Sequence, residues 1–213
     1  MDSFPAANGS QIIRRLVATI QDNAAYLSEL DGAIGDGDHG INMSKGFGLA
    51  LAQLDEQADL STGLATLGET LFTEIGGAMG PLYGTFFSEM AAACQNRKTI
   101  DAILFGTMLQ AGLHGVQDLG DAKVCDKTLV DTLAPATKSY VAALTAGATF
   151  AEALQRMARA AESGKESTRD LVAQIGRASR LGERTRGHLD AGATSCYLIL
   201  DAMAGSMLAL LAK

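Results

Sequence analysis

The chain has few of the residues that break helices or cross-link a fold. Its 213 residues include three prolines, three cysteines and no tryptophan. Cys94, Cys125 and Cys196 are widely spaced and form no C-x-x-C pair, so the sequence predicts neither a disulfide framework nor a zinc site. Runs of β-branched residues are also absent, and we expect no strand.

An excess of basic charge and a long apolar run are lacking as well. The formal net charge is −7, which argues against a broad basic face for nucleic acid. No run reaches the roughly 18 apolar residues of a membrane span, and Asp201 interrupts the most apolar segment, residues 191–213. The first residues show no basic-then-apolar signal pattern. We therefore expect a cytoplasmic protein without a membrane span or a nucleic-acid partner.

Alanine is abundant instead, with 36 residues, and apolar residues recur at helical spacing along most of the chain. The pattern predicts an all-α fold, with residues 1–213 forming one domain, a compact bundle of about eight amphipathic helices. A first helix is expected from Ile12 to about Leu30. The predicted N-cap residues of later helices are Ser61, Thr99, Asp126 and Thr149, and Pro135 predicts a kink.

The segment GDGDHG, residues 35–40, matches the G-x-G-x-x-G pattern of dinucleotide-binding folds. That pattern needs a strand before it, whereas an amphipathic helix precedes this one. A phosphate-binding P-loop would need Lys and Ser or Thr after the last glycine, and the chain has Ile41 and Asn42. An EF-hand would need a glutamate where Phe47 stands. None of these three motifs therefore explains the segment.

Three aspartates, Asp31, Asp36 and Asp38, lie at this junction of two predicted helices. Carboxylates held together repel one another, and a divalent cation would relieve that repulsion. They could hold two magnesium ions that also bind nucleotide phosphates. The alternative is a polar turn with solvated acids. His39 could contact a phosphate or cap the next helix, whose first turn favours bound anions.

Two further loops have unusual compositions. Residues 76–87 read GGAMGPLYGTFF, which would let the backbone approach a ligand or simply turn between two helices. Residues 176–195 contain four arginines, which suit an anionic ligand or an acidic partner, or else form a solvated surface loop. These arginines are Arg177, Arg180, Arg184 and Arg186.

Four blocks together resemble the family of nucleotide-binding L subunits of dihydroxyacetone kinase, called DhaL. The blocks read LDGAIGDGDHGINMSKGF, GGAMGPLYGTFF, DKTLVDTLAP and GRASRLGERTRGHLDAGATS, and they stand in the family's order over essentially the whole chain. The resemblance implies an antiparallel barrel of eight helices with ADP or ATP and two magnesium ions at one end. It implies that Asp31, Asp36 and Asp38 bind the metals and that Arg177 stabilises charge in the transition state. The nucleotide-binding residues that it implies are His39, Gly40, Ile41, Asn42, Ala78, Met79, Gly120, Leu129, Arg177, Asp190 and Gly192.

The resemblance also implies partners. ADP would stay bound as a coenzyme, and a phosphohistidine protein of the phosphotransferase system (PTS), the M subunit, would phosphorylate it in place. The resulting ATP would phosphorylate dihydroxyacetone on a separate K subunit, so that no general base is expected in this chain. A dimer of K subunits flanked by two L subunits is implied, and a homodimer of this chain stays open.

Two departures from the family pattern stand out. Met79 replaces a common serine, and Ala191 replaces the proline of a common DPGA segment, so that one hydroxyl contact and some loop rigidity are lost. Two other functions stay open at this point. One is an ATP-exchanging kinase subunit for another short ketose, such as a tetrulose, and the other is an ADP-loaded regulatory module without catalytic activity.

Overall fold

The computed structural model describes residues 3–213, and most of these residues lie in α-helices. Two three-residue strands, β1 and β2, pair antiparallel, with Phe4 opposite Ile100. The nine helices of the described residues are α1 (Gly9–Asp22), α2 (Ala24–Ile34), α3 (His39–Gln53), α4 (Leu60–Glu74), α5 (Met79–Cys94), α6 (Ala102–Gly120), α7 (Val130–Thr145), α8 (Phe150–Ser167) and α9 (Ala191–Leu211). The strands are β1 (Ser3–Pro5) and β2 (Thr99–Asp101).

The helices form a closed ring. From α3 to α9 each helix packs against the next, α9 also packs against α1, and α1 packs against α3 and α4. The short α2 lies against α3 and α9. Because short loops join several of these neighbours, they run antiparallel, and alternate helices begin at the same end of the bundle. The prediction of an all-α helical bundle is confirmed.

Aromatic side chains fill the end of the bundle that lies away from residues 35–38. Phe105 and Tyr140 meet edge to face with ring centroids 5.3 Å apart, and Phe150 stacks on Phe4 at 6.3 Å. The Tyr140 hydroxyl donates to the carbonyl of Ala102 at 2.8 Å, so its polar atom is satisfied in the core. This end of the bundle is therefore closed by packing, and the opposite end is left for the polar loops.

The prediction of one helix from Ile12 to Leu30 is wrong, because the chain turns at Asn23 between α1 and α2. The Asn23 side-chain amide donates to the carbonyl of Thr19 at 2.8 Å. Such side-chain hydrogen bonds compete with the helical backbone pattern. The prediction that the chain lacks strands is also wrong, since β1 and β2 pair across 94 or more residues of sequence. Pairing between such short, distant segments leaves no periodic signal.

Two predicted N-caps are wrong by two residues. Asp59 rather than Ser61 caps α4, and Asp101 rather than Thr99 caps α6. Each aspartate accepts a hydrogen bond at 2.8 Å from the amide three residues further on. In both segments a carboxylate lies close to the predicted hydroxyl, and the charged acceptor forms the stronger cap.

The caps of the last helices are mixed in outcome. Asp126 does not cap a helix, since its carboxylate accepts from the Lys123 amide at 2.7 Å within the loop before α7. Thr149 forms the predicted capping box with Glu152 at the start of α8. Pro135 lies inside α7.

The helix α9 is long and apolar enough to cross a membrane by length and composition, but 61% of its most apolar window is buried inside the bundle. A core helix of this kind passes the same test as a membrane span. Its buried residues contact helices on both sides, which agrees with the interpretation of residues 191–213 as a core helix.

Candidate functional site

The three aspartates converge at one end of the bundle. Asp31 lies in the last turn of α2, Asp36 lies in the loop that follows, and Asp38 comes immediately before α3. One carboxylate oxygen of each residue lies within 4.8 Å of the others. The structure therefore brings the predicted metal ligands together, and their role as ligands stays a prediction.

The connection between α2 and α3 is tight. Gly37 has a φ of +78°, a conformation that residues with a side chain rarely adopt. The backbone amide of His39 points at a carboxylate oxygen of Asp31 with a long N···O distance of 3.4 Å. This turn reverses the direction of the chain, so that the residues on either side of the loop lie close together.

The negative charges at this loop favour binding of a cation. The carbonyl end of α2 carries partial negative charge, and three carboxylates are added to it. Arg177 forms an ion pair with Asp36 and neutralises part of this charge. Carboxylate oxygens are hard ligands of the kind that magnesium prefers, so the donor set fits that metal.

The segment after α8 is ordered by its own contacts. Two 3₁₀ turns lie within Ala178–Thr185, separated by a break at Gly182, and Arg177 precedes them. Arg186 donates to Glu183 at 3.0 Å and to the Asp170 carbonyl at 2.5 Å, so it ties the segment together. Arg180 and Arg184 are exposed. Of the four arginines in the sequence pattern, Arg177 is thus the one that pairs with the acidic cluster.

Four helices begin beside the acidic cluster, and hydrogen bonds join their first two turns. His39 Nε2 lies 2.8 Å from the Ser195 hydroxyl, which links α3 to α9. The Tyr83 hydroxyl in α5 lies 2.6 Å from the same oxygen. Thr132 in α7 donates to the carbonyl of Ala193 at 3.0 Å. The amino ends of α3, α5, α7 and α9 are therefore held together, and helix amino ends attract anions.

His39 is held as a neutral side chain. Burial lowers its pKa from 6.5 to about 4, because the charged imidazolium would lose its hydration. The ring is 7% exposed and contacts Ser195, so it does not cap α3. At neutral pH the ring supplies hydrogen bonds and no charge. A nucleotide contact by His39 stays a prediction.

Asp190 is the N-cap of α9, and its carboxylate accepts from the Ala193 amide at 2.7 Å. Burial raises its pKa to about 7, while the hydrogen bond from Ala193 and the positive charge of Lys127 act in the opposite direction. This cap fixes the turn in which Ala191 replaces the family's proline. The turn is thus ordered by a side-chain hydrogen bond.

The remaining predicted nucleotide residues lie at the same end. Most lie at a helix end, and Gly192, in the first turn of α9, approaches Leu129. Ile41 is 66% exposed, whereas Gly40 is buried against α2. In chain order these residues are Gly40, Ile41 and Asn42 in α3, Ala78 and Met79 at the start of α5, Gly120 at the end of α6, Leu129 before α7, and Gly192.

Sequence reasoning missed four residues that organise this end, namely Tyr83, Lys127, Thr132 and Ser195. Each forms hydrogen bonds between elements far apart in sequence. Each also lies within one of the four blocks that carried the family resemblance. Membership of those blocks was the available signal, but it did not say which partner each side chain has.

Comparison with known proteins gives one consistent family. The model of the DAK2 domain matches residues 33–205. The chain is 40% identical to the ADP-binding subunit DhaL of a PEP-dependent dihydroxyacetone kinase from Escherichia coli, over 88% of each chain. It is also 40% identical to the ADP-binding subunit DhaL of PEP-dependent dihydroxyacetone kinase 1 from Listeria innocua, over 86% of this chain and 88% of that one.

A solved structure agrees with this result. The dihydroxyacetone kinase from C. freundii in complex with AMP-PNP and Mg²⁺ superposes with a TM-score of 0.69 and 27% identity, covering 94% of this chain and 34% of that one. This similarity shows the same helical fold within a longer kinase. The chain belongs to the DhaL family of ADP-binding subunits of dihydroxyacetone kinase, which carry the DAK2 domain.

Proposed function

We propose that this chain holds ADP and two magnesium ions at the acidic end of its helical bundle and transfers a phosphoryl group to dihydroxyacetone. The dihydroxyacetone would be bound by a separate K subunit, and a phosphohistidine protein of the PTS, the M subunit, would recharge the ADP. The observation that carries the proposal is the convergence of Asp31, Asp36 and Asp38 beside four helix amino ends. The 40% identity to ADP-binding subunits supports it.

The three carboxylates suit the metal part of the proposal. Asp31, Asp36 and Asp38 would hold the two magnesium ions, which when bound neutralise the terminal phosphates and align the γ-phosphoryl group. The carboxylate oxygens of the three side chains lie close enough together to bind the same metal ion. Without a bound metal ion the three carboxylates would repel one another, so the arrangement favours a cation-binding role over a solvated turn.

The helix amino ends suit the phosphates. His39, Gly40, Ile41 and Asn42 begin α3, and the amides of this first turn carry partial positive charge. Ala78 and Met79 begin α5 in the same way. The backbone amide of Met79 would serve where a family serine is missing. Gly120, Leu129, Asp190 and Gly192 would border the base or ribose and close the site.

Arg177 suits the transferred group. Its side chain is 63% exposed and reaches Asp36, so it lies beside the metal ligands and can still move. A guanidinium group would stabilise negative charge that develops on the phosphoryl oxygens. We therefore propose Arg177 as the catalytic residue of this chain. The acceptor hydroxyl would be activated by the K subunit.

Identifying the phosphoryl donor tests this proposal. In a mixture of this chain, a K subunit and the PTS proteins, we expect phosphoenolpyruvate to support formation of dihydroxyacetone phosphate and ATP alone to support little. The measurement is ³¹P NMR of the product, with a mixture lacking this chain as the control. Activity with ATP alone would instead show an ATP-exchanging subunit, and erythrulose in place of dihydroxyacetone tests the tetrulose alternative. Activity with neither donor would show a regulatory module.

A further inference from the structure

Lys127 is a buried lysine in the loop between α6 and α7. It is 2% exposed and has a φ of +64°, a left-handed backbone conformation that is costly for a residue with a side chain. Burying an ammonium group is unfavourable unless it is well bonded. The fold therefore retains a strained and charged residue at this position, and its contacts give the reason.

The ammonium group of Lys127 donates hydrogen bonds to backbone carbonyl oxygens in both limbs of the segment 168–188. Its Nζ lies 2.6 Å from the oxygen of Thr168 and 3.2 Å from that of Leu171, in the first limb. It lies 2.9 Å from the oxygen of Thr185 and 2.6 Å from that of His188, in the second limb. An ammonium has three protons, so two of these acceptors share one.

Other hydrogen bonds close the base of the same segment. The Ala173 amide donates to the Thr185 hydroxyl at 3.0 Å, and the Gly187 amide donates to the Arg169 carbonyl at 2.7 Å. The Asp190 amide donates to the Thr168 hydroxyl at 3.0 Å. Together with Lys127 these bonds turn residues 168–190 into a loop with a fixed base, which we call the arginine loop.

The arginine loop carries two residues of the candidate site. Arg177, near its tip, pairs with Asp36, and Asp190, at its end, caps α9. On the other side, the Asp131 carboxylate accepts from the Cys125 amide at 2.5 Å and from the Thr128 amide at 2.7 Å. Asp131 thus fixes the short loop from which the lysine side chain extends.

We propose that Lys127 is a positioning residue for nucleotide retention. Its ammonium group fixes the base of the arginine loop, and the loop in turn holds Arg177 and Asp190 over the nucleotide. Without that group the arginine loop opens and the bound nucleotide escapes faster. This inference rests on the proposed function for the ligand, but the order of the loop is a property of the chain alone.

The test compares Lys127→Met, which keeps the length of the side chain and removes its donors, with Lys98→Met, an exposed lysine beside β2. We expect Lys127→Met to retain its helical circular dichroism and to release a fluorescent ADP analogue about 30-fold faster than wild type. Trypsin should cut after Arg177, Arg180 and Arg184 faster in the same variant. Lys127→Arg, which restores donors, should recover part of both effects, and Lys98→Met should behave as wild type.

A second variant covers the case in which Lys127→Met does not fold. Thr185→Val removes the hydroxyl that accepts from Ala173 and loosens the base of the arginine loop without changing the lysine. We expect it to show the same faster release and cleavage. Wild-type release and cleavage rates in a folded Lys127→Met, or in Thr185→Val, would overturn the proposal. Failure of the wild-type chain to bind ADP would contradict the proposed function. Trypsin cleavage of the nucleotide-free chain would still test whether Lys127 orders the arginine loop.

Discussion

Asp36→Asn and Asp38→Asn should each lower the rate of phosphoryl transfer by at least about 10³-fold, because loss of metal-based charge stabilisation costs several kcal/mol. Each change replaces a charged oxygen ligand by a neutral amide and leaves the shape of the side chain nearly unchanged. The fold should persist, because removing one of three neighbouring like charges relieves repulsion in the metal-free chain. Asp36 also pairs with Arg177, but the two side chains are 41% and 63% exposed, so that ion pair adds little to stability.

The measurement is the rate of dihydroxyacetone phosphate formation, with circular dichroism to check folding. Asp55→Asn is the matched control, since Asp55 lies in the loop between α3 and α4 at the other end of the bundle. Its carboxylate accepts from the Gln57 amide, a bond that asparagine can keep. Wild-type rates in Asp36→Asn or Asp38→Asn would refute the metal assignment, and loss of activity in Asp55→Asn would show that the assay reports on folding.

Gly40→Ala should destabilise the chain by about 3 kcal/mol, which is a large effect for the addition of one methyl group. A Cβ at this position would overlap the carbonyl oxygen of Ala24 and crowd the amide of Ser28, both in the backbone of α2. Backbone atoms cannot rotate away as side chains can. The start of α3 would therefore have to move away from α2, and Asp31 would separate from Asp38.

Gly205→Ala is the control for this substitution. Gly205 lies in α9, is exposed, and a Cβ there would meet no atom within 4 Å. Alanine is the better helix former, so this variant should gain roughly 0.5–1 kcal/mol. Thermal unfolding of both variants measures these two changes in stability, a loss for Gly40→Ala and a gain for Gly205→Ala. A Gly40→Ala chain as stable as wild type would show that α2 and α3 pack less closely than the structure indicates.

The parts that the sequence predicts well are local or strongly periodic. The Thr149 capping box depends on residues three positions apart, and the approach of Asp31 to Asp38 depends on a glycine-rich turn of a few residues. The high apolar content of α9 over 21 consecutive residues marks a buried helix in the same way. In each case the residues that decide the structure are neighbours in the chain.

The parts that the sequence does not predict depend on partners distant in the chain. His39 and Ser195 are 156 residues apart, and Lys127 binds carbonyls 41 to 61 residues away. The break at Asn23 is marked by a hydrogen bond from the Asn23 side-chain amide to the carbonyl of Thr19, which apolar spacing does not reveal. Family resemblance placed Lys127 and Ser195 in matching blocks, but only the folded chain shows what each side chain bonds.

Native mass spectrometry of the purified chain, with and without a chelator, tests the central claim most directly. The proposed function predicts one retained ADP and two magnesium ions, lost together when the metal is removed, because the carboxylates would hold the phosphates only through the metal. Asp55→Asn should show the same masses as wild type, and Asp36→Asn should show neither ligand. A chain that binds no nucleotide at any magnesium concentration would contradict the claim.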